Sequence, residues 1–206
     1  TMCSAMPDAM VALKALKASH AGHLEVVQLL LDAGANLLAT PSHPLLVASS
    51  GHREVVQCLL ARGDSELRDT GHNTALCHAA QGGHVEVARV LLVRANVDAA
   101  NLFGQTPLLI AAARGFFTLM CLLLRNGADK DVTDANGWNA LMFSSARGDL
   151  RGVRYLLEVC AQVNTVNLKG RTALYLAAEA GHLEAMRCLL LARADPAVAD
   201  KHGCSA

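Results

Sequence analysis

The sequence predicts an all-α solenoid, built of short helix–turn–helix units stacked side by side and joined by turns. Three observations carry this. A glycine-led segment recurs six times at a near-constant interval. An Asp or Asn stands three residues before a glycine in four successive intervals. Each interval also holds two short apolar-periodic stretches, and neither could bury its apolar face alone, so they must stack in series.

The recurring segments are "AGHLEVVQLLL", "SGHREVVQCLL", "GGHVEVARVLL", "RGFFTLMCLLL", "RGDLRGVRYLL" and "AGHLEAMRCLL". Their glycines, Gly22, Gly51, Gly83, Gly115, Gly148 and Gly181, are spaced by 29, 32, 32, 33 and 33 residues. Four segments follow a second pattern, "NTALCHAA", "QTPLLIAA", "WNALMFSS" and "RTALYLAA", and three precede the turn signals "LDAGAN", "LARGDS" and "LRNGAD". A period of this size marks a repeat architecture. The units fall at 7–38, 39–67, 68–98, 99–131, 132–164 and 165–197, with a seventh beginning at 198–206, all within one array over 1–206.

Each element of a unit has its own chemistry. In the turn, Asn101, Asp134, Asn167 and Asp200 precede Gly104, Gly137, Gly170 and Gly203. Asx side chains bond nearby backbone there, and glycine accepts positive φ. Thr106 and Thr172 then cap a first helix, and Pro107 fits its first position. Gly115 or Gly181 stops that helix after about eight residues. The second helix carries apolar residues at helical spacing, such as Leu183, Met186, Leu189 and Leu190. Six residues after each glycine stand Gln28, Gln57, Arg89, Cys121, Arg154 and Arg187, a column that should face water. The next column, Leu29, Cys58, Val90, Leu122, Tyr155 and Cys188, should be buried, with Cys58 and Cys188 as small core fillers. Glu86 with Arg89, and Glu184 with Arg187, can pair at i,i+3 for about 0.2–0.5 kcal/mol each.

Bulk properties narrow the function. Eighteen basic and eighteen acidic residues cancel, which argues against nucleic-acid binding. No apolar run approaches the roughly 18 residues of a bilayer span, so no membrane segment is expected. The opening "TMCSAMPDAM" lacks a secretory pattern. Seven scattered cysteines fit reduced thiols in an intracellular, cytoplasmic setting, with the nucleus also open. At 3% aromatics, the core must come from Leu, Ala and Val.

Chemistry-bearing constellations are not apparent. His23, His52, His84 and His182 each follow a repeat glycine, but equivalent positions lie about 8–10 Å apart, too far to share a zinc at about 2.0–2.1 Å. No metal site is expected. The chain carries no Gly-x-Ser-x-Gly elbow, no phosphate loop and no supported Cys–His pair. The expectation is therefore no enzyme, no catalytic residue, no cofactor and no small-molecule substrate.

The pattern resembles the ankyrin repeat, a unit of a β-turn plus two helices with a period of about 33 residues. Thr106-Pro107-Leu108, Ala111-Ala112, Gly115, Leu123-Leu124, Gly127-Ala128-Asp129, Asp134 and Gly137 carry the match, which extends over residues 10–206. Departures are also legible. Cys77, Leu109, Met142 and Tyr175 stand where the family commonly places a histidine. Unit two is short across "ANLLATPSHPLLVASSGH". Cys160 and Arg193 replace the glycine before the finger, where positive φ costs energy, and "LLVRANVDAAN" drops it. The weakest joint is expected between units one and two. The final "DKHGCSA" opens a unit without a polar cap, as in a fragment of a longer protein.

The resemblance implies a protein–protein interaction module that binds on a concave face formed by fingertips and first-helix ends. The finger positions are Thr70, Gly71 and Asn73; Leu102, Phe103 and Gln105; Ala135, Asn136 and Trp138; and Leu168, Lys169 and Arg171. The helix-end positions include Gln81, Arg114, Arg147 and Glu179. Residues 145–171 carry Arg147, Arg151, Arg154, Lys169 and Arg171 against Asp149 and Glu158, a local net of +3. Partner binding is thus expected at Gln81, Phe103, Gln105, Arg114, Asn136, Trp138, Arg147, Lys169, Arg171 and Glu179. Phe103 and Trp138 would anchor and the cations would steer, toward a protein with an acidic and apolar surface. The competing reading has Trp138 folding back to stiffen its finger. The alternative function is a regulatory or structural segment of a larger enzyme or channel.

Overall fold

The computed structural model describes residues 8–34, 43, 45–46, 49, 51–61 and 67–205. Among them the chain forms eleven α-helices and no strand, apart from one antiparallel bridge between Arg68 and Thr74. The unit-two stretch "ANLLATPSHPLLVASSGH" falls largely outside the described residues. The chain divides into two compact units, Thr1–Asn96 and Val97–Ala206.

In the first unit, α1 (Asp8–His20) pairs with α2 (Leu24–Asp32), and α3 (Arg53–Leu60) packs on α2. Then α4 (Ala75–Gly82) pairs with α5 (Val85–Leu91), which packs on α3. The second unit holds three hairpins: α6 (Pro107–Arg114) with α7 (Phe117–Arg125), α8 (Ala140–Arg147) with α9 (Leu150–Glu158), and α10 (Ala173–Glu179) with α11 (Leu183–Leu191). First helices stack on first helices, α6 on α8 on α10, and second helices on second helices, α7 on α9 on α11.

The first helices begin as the sequence requires. Thr74, Thr106, Asn139 and Thr172 are extended caps, and each side chain accepts the backbone N–H three residues on, from Cys77, Leu109, Met142 and Tyr175. Left-handed Gly83, Gly115 and Gly148 end α4, α6 and α8.

Burial in the second helices corrects the expected pattern. The column seven residues after the glycine is not the core. Leu29 is 70% exposed, and Cys58, Val90, Leu122, Tyr155 and Cys188 are half-buried, so the two cysteines are not core fillers. The core comes from positions five and eight after the glycine, as in Val56 with Leu59, Ala88 with Leu91, Met120 with Leu123 and Val153 with Leu156. At about 100° per residue these share one stripe, and the seventh position falls on its flank. The polar column does face water at Gln28, Gln57, Arg89, Arg154 and Arg187. Glu86–Arg89 and Glu184–Arg187 pair at 3.6 and 2.9 Å.

Two sets of side chains couple successive repeats. His52 Nε2 lies 2.8 Å from the His20 carbonyl, and His182 Nε2 lies 3.2 Å from the Ala146 carbonyl. Each ring covers the preceding repeat glycine, Gly22 or Gly148, where a β-carbon would collide with it. Beyond the second helices, Asp98, Asp131 and Asn164 accept the backbone N–H of Asp129, Gln162 and Asp195 at 3.1, 2.7 and 2.9 Å.

Backbone strain falls where glycine is missing. Cys160 and Arg193 have φ of 59° and 64°. After α5, where the sequence drops the residue, no left-handed position is used, and Arg94 Nη1 instead reaches the Leu60 carbonyl at 3.1 Å.

Candidate functional site

The fingers of the second unit position the candidate residues. In each, the Asx Oδ1 accepts two backbone N–H groups: Asn101 those of Phe103 and Gln105, Asp134 those of Asn136 and Trp138, Asn167 those of Lys169 and Arg171, and Asp200 those of His202 and Cys204. The distances run from 2.8 to 3.1 Å. Fingers also bond to one another. Ala135 N–H donates to the Phe103 carbonyl, Leu168 to Asn136 and Lys201 to Lys169, at 3.0, 3.0 and 3.1 Å. The tips therefore form a backbone ladder with fixed spacing. The corresponding turn at Asp69 binds Gly71 and Asn73, but its left-handed position is His72, at φ 59°.

Phe103, with Asn136 and Lys169 at the matching positions of the next two fingers, lies at the tips and is 67% exposed. Trp138 occupies the finger base, two residues further along, with Gln105 and Arg171 in the same column. The indole is half-buried against Phe143 of α8, with ring centroids 4.9 Å apart and planes tilted by 35°. It is thus neither a bare fingertip nor inside the stack. Phe143, itself half-buried, extends this aromatic surface toward Arg147 at the end of the same helix. Sequence reasoning missed Phe143, although its five-residue separation from Trp138 across the helix start was readable.

The cations divide into two kinds. Arg114 and Arg147 are exposed at the ends of α6 and α8. The Arg147 guanidinium lies over Gly115, taking the place that the histidine rings hold over Gly22 and Gly148, because Asp149 stands where unit five would have its histidine. Arg171 is committed within the chain. It bonds both carboxylate oxygens of Glu179 at 3.0 Å, approaches Asp200 at 3.8 Å and lies over the Tyr175 ring at 4.9 Å. Backbone donation from Cys204 leads a set of bonds that hold the Asp200 carboxyl below its usual pKa, against the opposing effect of burial. Desolvation first, opposed by Arg171 and reinforced by Asp200, pushes the Tyr175 hydroxyl up. Glu179, expected as a partner contact, is the counter-ion of Arg171.

The local excess of positive charge does not form one patch. Arg151 and Arg154 lie on α9, a second helix, and Arg151 sits 4.2 Å over the Phe117 ring, which meets Tyr155 edge-on at 6.0 Å. Gln105 is half-buried beside Asn101, and Gln81 is half-buried near the end of α4 in the first unit. Lys169 is exposed.

Stacked helical hairpins with Asx–Gly fingers define a helical repeat protein. The sequence profile for ankyrin repeats in three copies matches residues 45–134 and 108–200, and that for a single ankyrin repeat matches residues 15–42. The chain belongs to the ankyrin-repeat family. It is similar to the ankyrin repeat and KH domain-containing protein mask-1 of Caenorhabditis elegans, 36% identical over an alignment 127 residues long that covers 55% of this chain and 5% of that protein. It is also similar to the DNA replication inhibitor plutonium of Drosophila melanogaster, 47% identical over 60 residues, 29% of this chain and 34% of that protein. The chain thus matches only part of either relative's length. Ankyrin repeats are in general protein–protein interaction modules. No helix among the described residues is long and apolar enough to cross a membrane.

Proposed function

We propose that the finger and first-helix face of the second unit is a docking surface for a protein partner that presents an acidic and apolar segment. The observation that carries this reading is the line Trp138–Phe143–Arg147. Two half-buried aromatic rings in contact lead along one helix to an exposed guanidinium. Aromatic residues and arginine are the types that dominate binding energy at interfaces. Arg114, one repeat away, supplies a second exposed cation, and Phe103, Gln105, Asn136 and Lys169 border the line from the fingers. Arg171 and Glu179 contribute as a mutually neutralised pair that shapes the edge of the face. Gln81 belongs to the corresponding face of the first unit.

The test compares capture of partners by the wild-type chain and by a Trp138→Ala, Arg147→Glu double variant, quantified protein by protein. Loss of a specific partner with unchanged helical circular dichroism supports the face. Equal capture by both refutes it. A second reading, the array as one segment of a larger regulatory or structural protein, draws on mask-1, whose name joins ankyrin repeats to a KH domain. It is compatible with docking, and the length of the complete coding sequence decides it.

A further inference from the structure

The fingertips of the second unit carry a graded pattern that the helix face does not. The two residues after each Asx are Leu102–Phe103, Ala135–Asn136, Leu168–Lys169 and Lys201–His202. Leu102, Phe103 and Leu168 are 60%, 67% and 61% exposed. Lys169, Lys201 and His202 are exposed as well, and no acidic side chain occupies any of these eight positions. The tips thus run from apolar at the first finger to cationic at the fourth. Hydrogen bonds between successive tips fix their order and spacing.

We infer that this ladder reads an extended acidic peptide in a defined register: a large apolar residue, a second about six residues away, and Asp or Glu next to that second one and on to about the ninth. The inference rests on the docking function proposed above and specifies its ligand. The register follows from two lengths. Successive repeats are about 10 Å apart, the distance of packed helices. An extended chain rises about 3.3 Å per residue, so each finger takes about three ligand residues. Leu102–Phe103 and Leu168 are two fingers apart and match apolar residues six apart. Lys169 lies on the same finger as Leu168, and Lys201 on the next, so acidic residues belong beside the second apolar one and beyond it. Apolar contact at the tips supplies affinity, while the exposed ion pairs set direction and weaken with salt.

The test pans a phage-displayed library of random twelve-residue peptides on the intact 206-residue chain. The expected winners carry two large apolar residues about six apart with acidic residues next to and after the second. Against a chosen winner, Leu168→Ser costs about tenfold in Kd, as does Lys169→Glu with Lys201→Glu, while the latter pair favours peptides with Lys in place of the acids. Winners without this spacing, or no enrichment, overturn the register. Sedimentation with phosphatidylcholine–phosphatidylserine vesicles is the parallel arm, and vesicle binding lost in Leu168→Ser without peptide enrichment assigns the tips to a lipid surface and overturns the proposal. Winners insensitive to the tip substitutions but lost with Trp138→Ala, Arg147→Glu keep the docking face and sink the register. The opposite outcome keeps the register and sinks the Trp138-centred face.

Discussion

The Arg147 guanidinium lies across Gly115, with Nη2 2.9 Å and Nε 3.1 Å from where a β-carbon of Gly115 would stand. Gly115 is also left-handed, at φ +79°. Gly115→Ala therefore adds backbone strain of about 1–2 kcal/mol and pushes aside a cation of the proposed docking face. We expect a lower urea midpoint together with weakened partner binding. Gly127, at φ +87° with nothing near its β-carbon position, is the control. Gly127→Ala should lower the midpoint similarly and leave binding intact.

Cys160 and Arg193 occupy the same kind of left-handed position without being glycine, at φ 59° and 64°. Cys160→Gly and Arg193→Gly relieve that strain, less the extra freedom glycine gains in the unfolded chain, for a net gain of up to about 1 kcal/mol each. Chemical denaturation of each variant measures it. An unchanged or lower midpoint would mean the side chains contribute more than the backbone loses.

These two positions were legible because repeat alignment exposes a missing glycine directly. The Asx turns, the Thr caps and the helix-stopping glycines were legible for the same reason: each is a local interaction spanning five residues or fewer. The seventh-position column was misread because an apolar residue on a helix flank looks like one on its centre until the packing direction is known. Arg171 was read as a free cation because its partners Glu179 and Asp200 lie eight and twenty-nine residues away. The Asp98, Asp131 and Asn164 bonds each reach 31 residues forward, beyond any local motif.

Ser144 and Ser145 are fully buried on α8, and neither hydroxyl has a hydrogen-bond partner. The matching positions in α6 are Ala111 and Ala112, also buried. An unpaired buried polar group costs about 1–3 kcal/mol, so Ser144→Ala should raise stability by about 1 kcal/mol or more. Thermal unfolding tests this. A fall in Tm would show that the hydroxyl is satisfied in solution.

Asp69 gives one finger an acid-sensitive contribution. Partial burial alone would raise its carboxyl pKa, but donation from the Asn73 backbone and side chain and from Gly71, with His78 nearby, outweighs this and lowers it. The folded pKa lies below the unfolded one. The charged carboxylate therefore adds stability above the ordinary Asp value of about 3.9, and this is lost as pH falls through the lowered folded value. Asp69→Asn keeps an acceptor oxygen, as Asn101 and Asn167 do in their own turns. The variant's Tm should consequently fall less steeply between about pH 5 and pH 2 than that of the wild type.

Arg147 and Arg171 are both arginines near the proposed face, yet substitution should separate them. Arg171 joins Glu179 at 3.0 Å, stacks on Tyr175 and lies 3.8 Å from Asp200, whose side chain is 2% exposed. Removing it strips the counter-charge from a buried carboxylate and uncovers the ring. Arg171→Ala should therefore lower the urea midpoint, with the partly exposed Glu179 contact contributing least. Arg147 is exposed and rests on backbone, so Arg147→Ala should cost little stability and act on binding instead. Paired urea melts and partner titrations decide the assignment. If Arg147→Ala unfolds the array as readily as Arg171→Ala, its guanidinium is a structural lid on Gly115 and the cationic end of the docking line moves to Arg114.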